Sequence, residues 1–133
     1  MSTRILYIED NPDNRLLVRR VLMAEGYTIE EAADGVAGLK MSEAQPPDLV
    51  LIDINLPEID GYEVTARLKQ LPSMRGVPII AMTANVMKGD REACLDAGMD
   101  DYIGKPVRVE ELVAALQRTG TATVKPGTAT VSR

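Results

Sequence analysis

Five short apolar runs alternate with stretches of helical length along most of the chain, and this alternation restricts the fold more than any other feature. The runs are Ile5-Leu6-Tyr7-Ile8, Tyr27-Thr28-Ile29-Glu30-Glu31-Ala32, Leu49-Val50-Leu51-Ile52, Val77-Pro78-Ile79-Ile80-Ala81 and Tyr102-Ile103. Strand–helix alternation repeated in this way dictates parallel strands with helices on both faces of the sheet. Leu49 to Ile52 is apolar at consecutive positions, as a strand buried on both faces requires. A closed eight-unit barrel needs roughly 250 residues, whereas this chain has 133. The expectation is therefore an open, doubly wound α/β sheet.

The intervening segments carry helix punctuation. Asn11 before Pro12 reads as an N-cap with proline at the first helical position, and Gly26 stands where that helix would be capped at its end. Between them Leu16, Leu17, Arg20, Val21 and Ala24 recur near a 3.6-residue period, which sets the apolar members on one face. Asp34-Gly35 opens a second helix that ends before Pro46-Pro47. Gly61 to Leu71 reads as a third, Lys88 to Ala97 as a fourth and Val109 to Arg118 as a fifth. Residues 1–119 thus form one domain. Residues 120–133 form a Thr/Ala/Gly-rich tail or linker in which Gly-Thr-Ala-Thr-Val occurs at 120–124 and again at 127–131. Lys125-Pro126-Gly127-Thr128 between the copies fits a type II turn, so a small hairpin is the alternative reading of the tail.

Composition narrows the chemistry. A formal net charge of −5 argues against nucleic acid or an anionic membrane as the main partner. No run approaches a membrane span and the N-terminus lacks a signal-peptide pattern, so membrane insertion is not expected and the expected location is cytoplasmic. The chain contains no histidine, which removes Ser–His and Cys–His catalysis, imidazole metal sites and any phosphohistidine of its own. The single Cys94 forms no intrachain disulfide and no four-ligand zinc site. What remains is chemistry by carboxylates, lysines, hydroxyls and a hard metal ion.

In an open parallel sheet, ligands bind outside the carboxyl ends of the strands. Those ends carry Glu9 and Asp10 after the first strand, Asp53 after the third, Thr83 after the fourth and Lys105 after the fifth. Two carboxylates about 4 Å apart repel by roughly 4 kcal/mol at an effective dielectric of 20. Lys105 alone does not balance three negative charges, so a hard divalent ion such as Mg²⁺ is the natural complement. Each residue also has a plain structural reading: Asp10 as a helix cap, Thr83-Ala84 as a turn, Lys105 as a surface lysine. Their joint occurrence at four strand ends is what argues for a site.

At this point the chain resembles the phosphoacceptor receiver domains of two-component response regulators, from about Arg4 to Arg118. The resemblance rests on Ile8-Glu9-Asp10-Asn11, Leu51-Ile52-Asp53-Ile54-Asn55-Leu56-Pro57, Asp60-Gly61, Met82-Thr83-Ala84 and Lys105-Pro106, in that order and spacing. The stretch from Thr83 to Tyr102 is most similar to receivers of hybrid kinases and stand-alone phosphorelay regulators. The resemblance implies a flavodoxin-like topology, strand order 2-1-3-4-5, with five helices. It implies that Asp53 accepts a phosphoryl group from a histidine kinase or histidine phosphotransfer protein. Mg²⁺, with Mn²⁺ as a substitute, would be held by Asp10, Asp53 and the backbone carbonyl of Asn55, with Glu9 acting through a water. Lys105 and Thr83 would contact the phosphoryl group, and the Lys105-Pro106 bond would be cis. Thr83 and Tyr102 would form the switch that alters the face of helix four, strand five and helix five, which would engage an unidentified protein partner or form a phosphorylation-linked dimer. Glu9 stands where aspartate is common in the family. Asn55 and Asn85 lie at positions that influence loss of the phosphoryl group.

Three other readings differ in class. An aspartyl-nucleophile phosphohydrolase looks for a second acid two residues after the nucleophile, and Asn55 cannot protonate a leaving group. The expectation is thus a signalling phosphoacceptor that at most catalyses its own phosphorylation and dephosphorylation. A nucleotide-binding module lacks its glycine-rich phosphate cradles here. A DNA-binding output has no room after Arg118. The Met1 start fits a free-standing or N-terminal receiver; the alternative is a receiver excised from a hybrid sensor kinase or a longer regulator.

Overall fold

The computed structural model describes residues 3–84 and 90–119. Strands and helices alternate as β1 (Arg4–Ile8), α1 (Pro12–Ala24), β2 (Thr28–Ala32), α2 (Gly35–Ala44), β3 (Leu49–Asp53), α3 (Gly61–Lys69), β4 (Ile79–Thr83), α4 (Asp90–Asp96), β5 (Asp101–Gly104) and α5 (Val109–Arg118). A short 3-10 turn, Pro72–Met74, follows α3. The strands form one parallel sheet in the order β2-β1-β3-β4-β5. The open doubly wound sheet expected from the alternation is therefore present, with the expected strand order.

Strand periodicity divides the core into two layers. Ile5 and Tyr7, Leu49 and Leu51, and Ile80 and Met82 face Val18 and Leu22 of α1 and Leu112, Ala115 and Leu116 of α5. Leu6 and Ile8, Val50 and Ile52, and Ile79 and Ala81 face Val64 and Leu68 of α3 and Cys94 of α4. Every residue of β3 and β4 is buried, which is why both read as continuous apolar runs. On the second face α2 lies so close to β1 that a Cβ at Gly38 would run into the Ile8 side chain.

Helix starts follow their capping residues. The Asn11 side chain accepts hydrogen bonds from the backbone N–H groups of Asp13 at 2.8 Å and Asn14 at 3.1 Å, with Pro12 in the first turn. Asp34 caps α2 through Ala37 N–H, and Asp60 caps α3 through Glu63 N–H. Gly26 follows α1 with φ of +93°, a conformation that favours glycine and ends the helix.

Four expectations need correction. The inward face of α1 is Val18 and Leu22, with the expected Val21 packed beside them, whereas Leu16 and Leu17 are exposed; α1 is apolar on two sides, and the expected set mixed the two. β4 begins at Ile79 rather than Val77, because Pro78 has no N–H to give the ladder and pairing with β3 starts at Val50↔Ile79. Asp53 and Thr83, expected just after the third and fourth strands, are the last residues of β3 and β4. α3 ends at Lys69, since Pro72 disfavours helical geometry at Leu71. Residues 85–89, where the fourth helix was expected to begin, and the tail with its hairpin alternative lie outside the described residues. Among the described residues, no helix is long and apolar enough to cross a membrane.

Candidate functional site

Because all five strands run parallel, their carboxyl ends share one edge, and the residues there come from four separate parts of the sequence. Glu9 leaves β1 with its N–H on the carbonyl of Ala32 in the neighbouring strand, at 3.0 Å. Its side chain is buried, and so is Asp53, while Asp10 is exposed. One carboxylate oxygen from each of Glu9, Asp10 and Asp53 falls within 4.8 Å of the others. Thr83 is fully buried at the end of β4. Its carbonyl accepts the N–H of Lys105 at 2.8 Å, which ties the lysine to the adjacent strand end, and the Lys105–Pro106 peptide bond is cis.

Lys105 Nζ lies 3.0 Å from Asp53 Oδ2 and 3.2 Å from Glu9 Oε1. The second oxygen of Asp53 accepts the backbone N–H of Asn55 at 3.0 Å, so the loop after β3 folds back onto the carboxylate. That loop returns tightly into α3: Gly61 N–H reaches the carbonyl of Ile54 at 2.9 Å. A Cβ on Gly61 would lie 2.7 Å from the carbonyl oxygen of Asp53, so only glycine fits without movement.

Charge is unbalanced at this edge. Burial raises Glu9 above the ordinary carboxylate range, the nearby Asp53 charge raises it further, and Lys105 opposes both. Burial alone would lower Lys105, but its hydrogen bond and charge interaction with Asp53, followed by those with Glu9, hold it above the ordinary lysine value. Three carboxylates therefore face one ammonium. The donor set is all hard oxygen, and exposure at Asp10 leaves an open side. This arrangement suits Mg²⁺ or Mn²⁺, which bind carboxylates while retaining water.

The structure thus brings together Glu9, Asp10, Asp53 and Lys105, with Asn55 bonded through its backbone to Asp53 and Thr83 bonded through its backbone to Lys105. Tyr102 stands in β5, three residues before Lys105. It pairs in register with Ala81, is half-buried against the second core layer, and shares a sheet face with Thr83. Asn85 falls outside the described residues.

Sequence reasoning missed three supports. Arg15 Nη1 donates to the carbonyl of Glu9 at 2.7 Å, and Arg15 also pairs with Glu31 at 3.3 Å. Asn11 N–H donates to Glu9 Oε2 at 3.3 Å, in addition to the expected capping role of its side chain. The Tyr7 hydroxyl, inside the first core layer, donates to Glu9 Oε1 at 3.0 Å. Only the last had a local signal, a tyrosine two residues before a strand-end acid.

Comparison with known proteins agrees with this geometry. The response regulator receiver domain profile matches residues 5–117. The polar-differentiation response regulator DivK of Brucella ovis is 38% identical over 117 residues, covering 88% of this chain and 95% of its own. The receiver domain of a sensor histidine kinase from Pseudomonas aeruginosa PAO1 superposes with a TM-score of 0.83 at 43% identity, over 90% of this chain and 99% of its own. That crystal structure holds a magnesium ion in its active site cleft. The chemotaxis response regulator CheY4 of Vibrio cholerae superposes with a TM-score of 0.85 at 25% identity, over 90% of this chain and 99% of its own. With the family profile matching residues 5–117 and a 38% identical relative covered over 95% of its length, this chain belongs to the response regulator receiver domains of two-component signalling.

Proposed function

We propose that Asp53 is the phosphoacceptor and that its phosphorylation requires Mg²⁺. The pairing of Asp53 with Lys105 at 3.0 Å is the observation that carries this reading. A carboxylate oxygen of Asp53 attacks the phosphorus of a phosphohistidine on a histidine kinase or a histidine phosphotransfer protein. The P–N bond breaks, an acyl phosphate forms, and the imidazole leaves as a neutral ring after taking up a proton. Asp10, Asp53 and the backbone carbonyl of Asn55 would hold Mg²⁺, with Mn²⁺ as a substitute, and Glu9 would act through a water. The metal supplies positive charge against the phosphoryl oxygens. Lys105 would supply a second cation, positioned by its backbone bond to Thr83.

The acyl phosphate adds about −1.5 to −2 charge beside β4. In this reading Thr83 turns its hydroxyl toward that charge, and Tyr102, on the same sheet face, follows inward. The surface of α4, β5 and α5 then changes and engages a protein partner or a second phosphorylated copy. Such a domain signals rather than turning over a substrate, its only catalysis being its own phosphorylation and dephosphorylation. A cytoplasmic location belongs to the same reading.

The test is intact mass after incubation with Mg²⁺ and acetyl phosphate, comparing wild type with Asp53→Asn. Gain of one phosphoryl group that needs both Mg²⁺ and Asp53 is expected. Equal gain in Asp53→Asn would overturn the assignment, as would a wild type that gains nothing from a cognate phosphohistidine donor.

A further inference from the structure

Tyr7 lies in the interior of β1, two residues before Glu9, so strand geometry directs both side chains to the same side. Its ring is 0% exposed within the layer that contains Val18, Leu22 and Leu112, and packing alone would be served there by a phenyl ring. Its hydroxyl instead reaches the site. It donates to Glu9 Oε1 at 3.0 Å, in a bond buried from solvent.

Glu9 has few other partners. Its carboxylate is met by Lys105 Nζ at 3.2 Å on the same oxygen and by the long Asn11 N–H contact of 3.3 Å on the other. Lys105 is shared with Asp53 at the shorter distance of 3.0 Å, and in the proposed reaction it turns to the phosphoryl oxygens. Tyr7 is then the side-chain donor that stays with Glu9 among the described residues. A glutamate also has one more rotatable bond than an aspartate, so holding its carboxylate in one orientation needs an anchor.

We infer that Tyr7 is a positioning residue, whose hydroxyl holds the Glu9 carboxylate in the orientation that binds a metal-coordinated water. This rests on the Mg²⁺ centre proposed above. Aspartate in place of Glu9 is one methylene shorter and would not reach the Tyr7 hydroxyl. The chain thus combines a longer acid with a hydroxyl placed to tether it.

The experiment is Mg²⁺ titration of the unphosphorylated full chain followed by amide NMR, for wild type, Y7F, E9D and the double variant Y7F/E9D. The same spectra report folding. Y7F is expected to weaken Mg²⁺ binding about tenfold, the size of one hydrogen bond to a charged group. In the E9D background the same change is expected to add less than about twofold, because the bond is already gone. At saturating Mg²⁺, Y7F is expected to regain the wild-type rate of phosphorylation by acetyl phosphate. Unchanged affinity in Y7F, or an equal loss in both backgrounds, would reduce Tyr7 to a core residue and overturn the inference. If Y7F does not fold, the ¹³Cζ resonance of Tyr7 in the wild type decides: it is expected to shift with the same midpoint as the site amides, and a resonance that does not move rejects the role. A wild type that binds no Mg²⁺ would overturn the metal centre itself, and this inference with it.

Discussion

The Lys105 ammonium stands 3.0 Å from Oδ2 of Asp53, and the same nitrogen is 3.2 Å from Oε1 of Glu9. One cation therefore bridges the ends of β1 and β3 from its place after β5. It offsets part of the repulsion between two carboxylates that are both buried. An excess of negative charge remains, which suits the edge to a further cation.

Removing that bridge should cost the fold most in the absence of metal. Lys105→Met keeps the length of the side chain but leaves Glu9 and Asp53 uncompensated, which should destabilise the metal-free protein by roughly 3 kcal/mol. Urea unfolding with and without Mg²⁺ checks this, and the deficit should shrink when Mg²⁺ is added. A deficit of the same size in both conditions would contradict the shared role of lysine and metal.

Gly61 is the residue where α3 approaches the site most closely. Alanine there would place its Cβ 2.7 Å from the Asp53 carbonyl oxygen and 2.7 Å from the Ile54 Cα, both parts of the backbone that cannot turn aside. Gly61→Ala should cost about 1–3 kcal/mol and slow phosphorylation by acetyl phosphate. Gly76→Ala is the control. Its φ is +84° with nothing near the added Cβ, so it should cost about 1 kcal/mol and leave phosphorylation unchanged.

Ser42 is fully buried in α2, and among the described residues its hydroxyl has no hydrogen-bond partner. Ser42→Ala should raise stability by about 1 kcal/mol, since it removes an unpaired buried group and favours the helix. A higher urea midpoint with an unchanged slope would bear this out. A lower midpoint would mean that the hydroxyl is paired.

Tyr27 should make the fold sensitive to alkali. Burial, and then the charge of Glu25, push its phenol up from 10 to about 12. Between those values the unfolded chain has released the proton and the folded chain still holds it, so the contribution of Tyr27 to stability falls as pH rises through 10 and levels off above 12. Tyr7 adds to the same trend, raised by burial and then by Glu9. Tyr27→Phe should flatten the slope of unfolding free energy against pH above 10, and an identical slope would reject the assignment.

Local chemistry wrote much of this molecule legibly. Asn11-Pro12 and Asp34-Gly35 open helices because a side-chain oxygen satisfies backbone N–H groups a few residues on, and both helices start there, as the third starts at Gly61. α5 runs from Val109 to Arg118 as its periodicity predicts. Glu9, Asp10, Asp53, Thr83 and Lys105 were readable as one edge, because parallel strands place equivalent ends together.

Tertiary structure decided what adjacency in the chain does not encode. α1 carries Leu16, Leu17 and Met23 on exposed surface and Val18 and Leu22 in the core. Both sets are apolar, so only packing against β1, β3 and α5 selects between them. The bond from Tyr7 to Glu9 follows strand parity, yet its partner oxygen also meets a lysine that lies 96 positions further on in the chain. The order of residues therefore determined the strands, the caps and the inventory of groups at the sheet edge. Which faces are buried and which atoms meet were decided by the fold, because burial and electrostatics act through distances that only the assembled sheet defines.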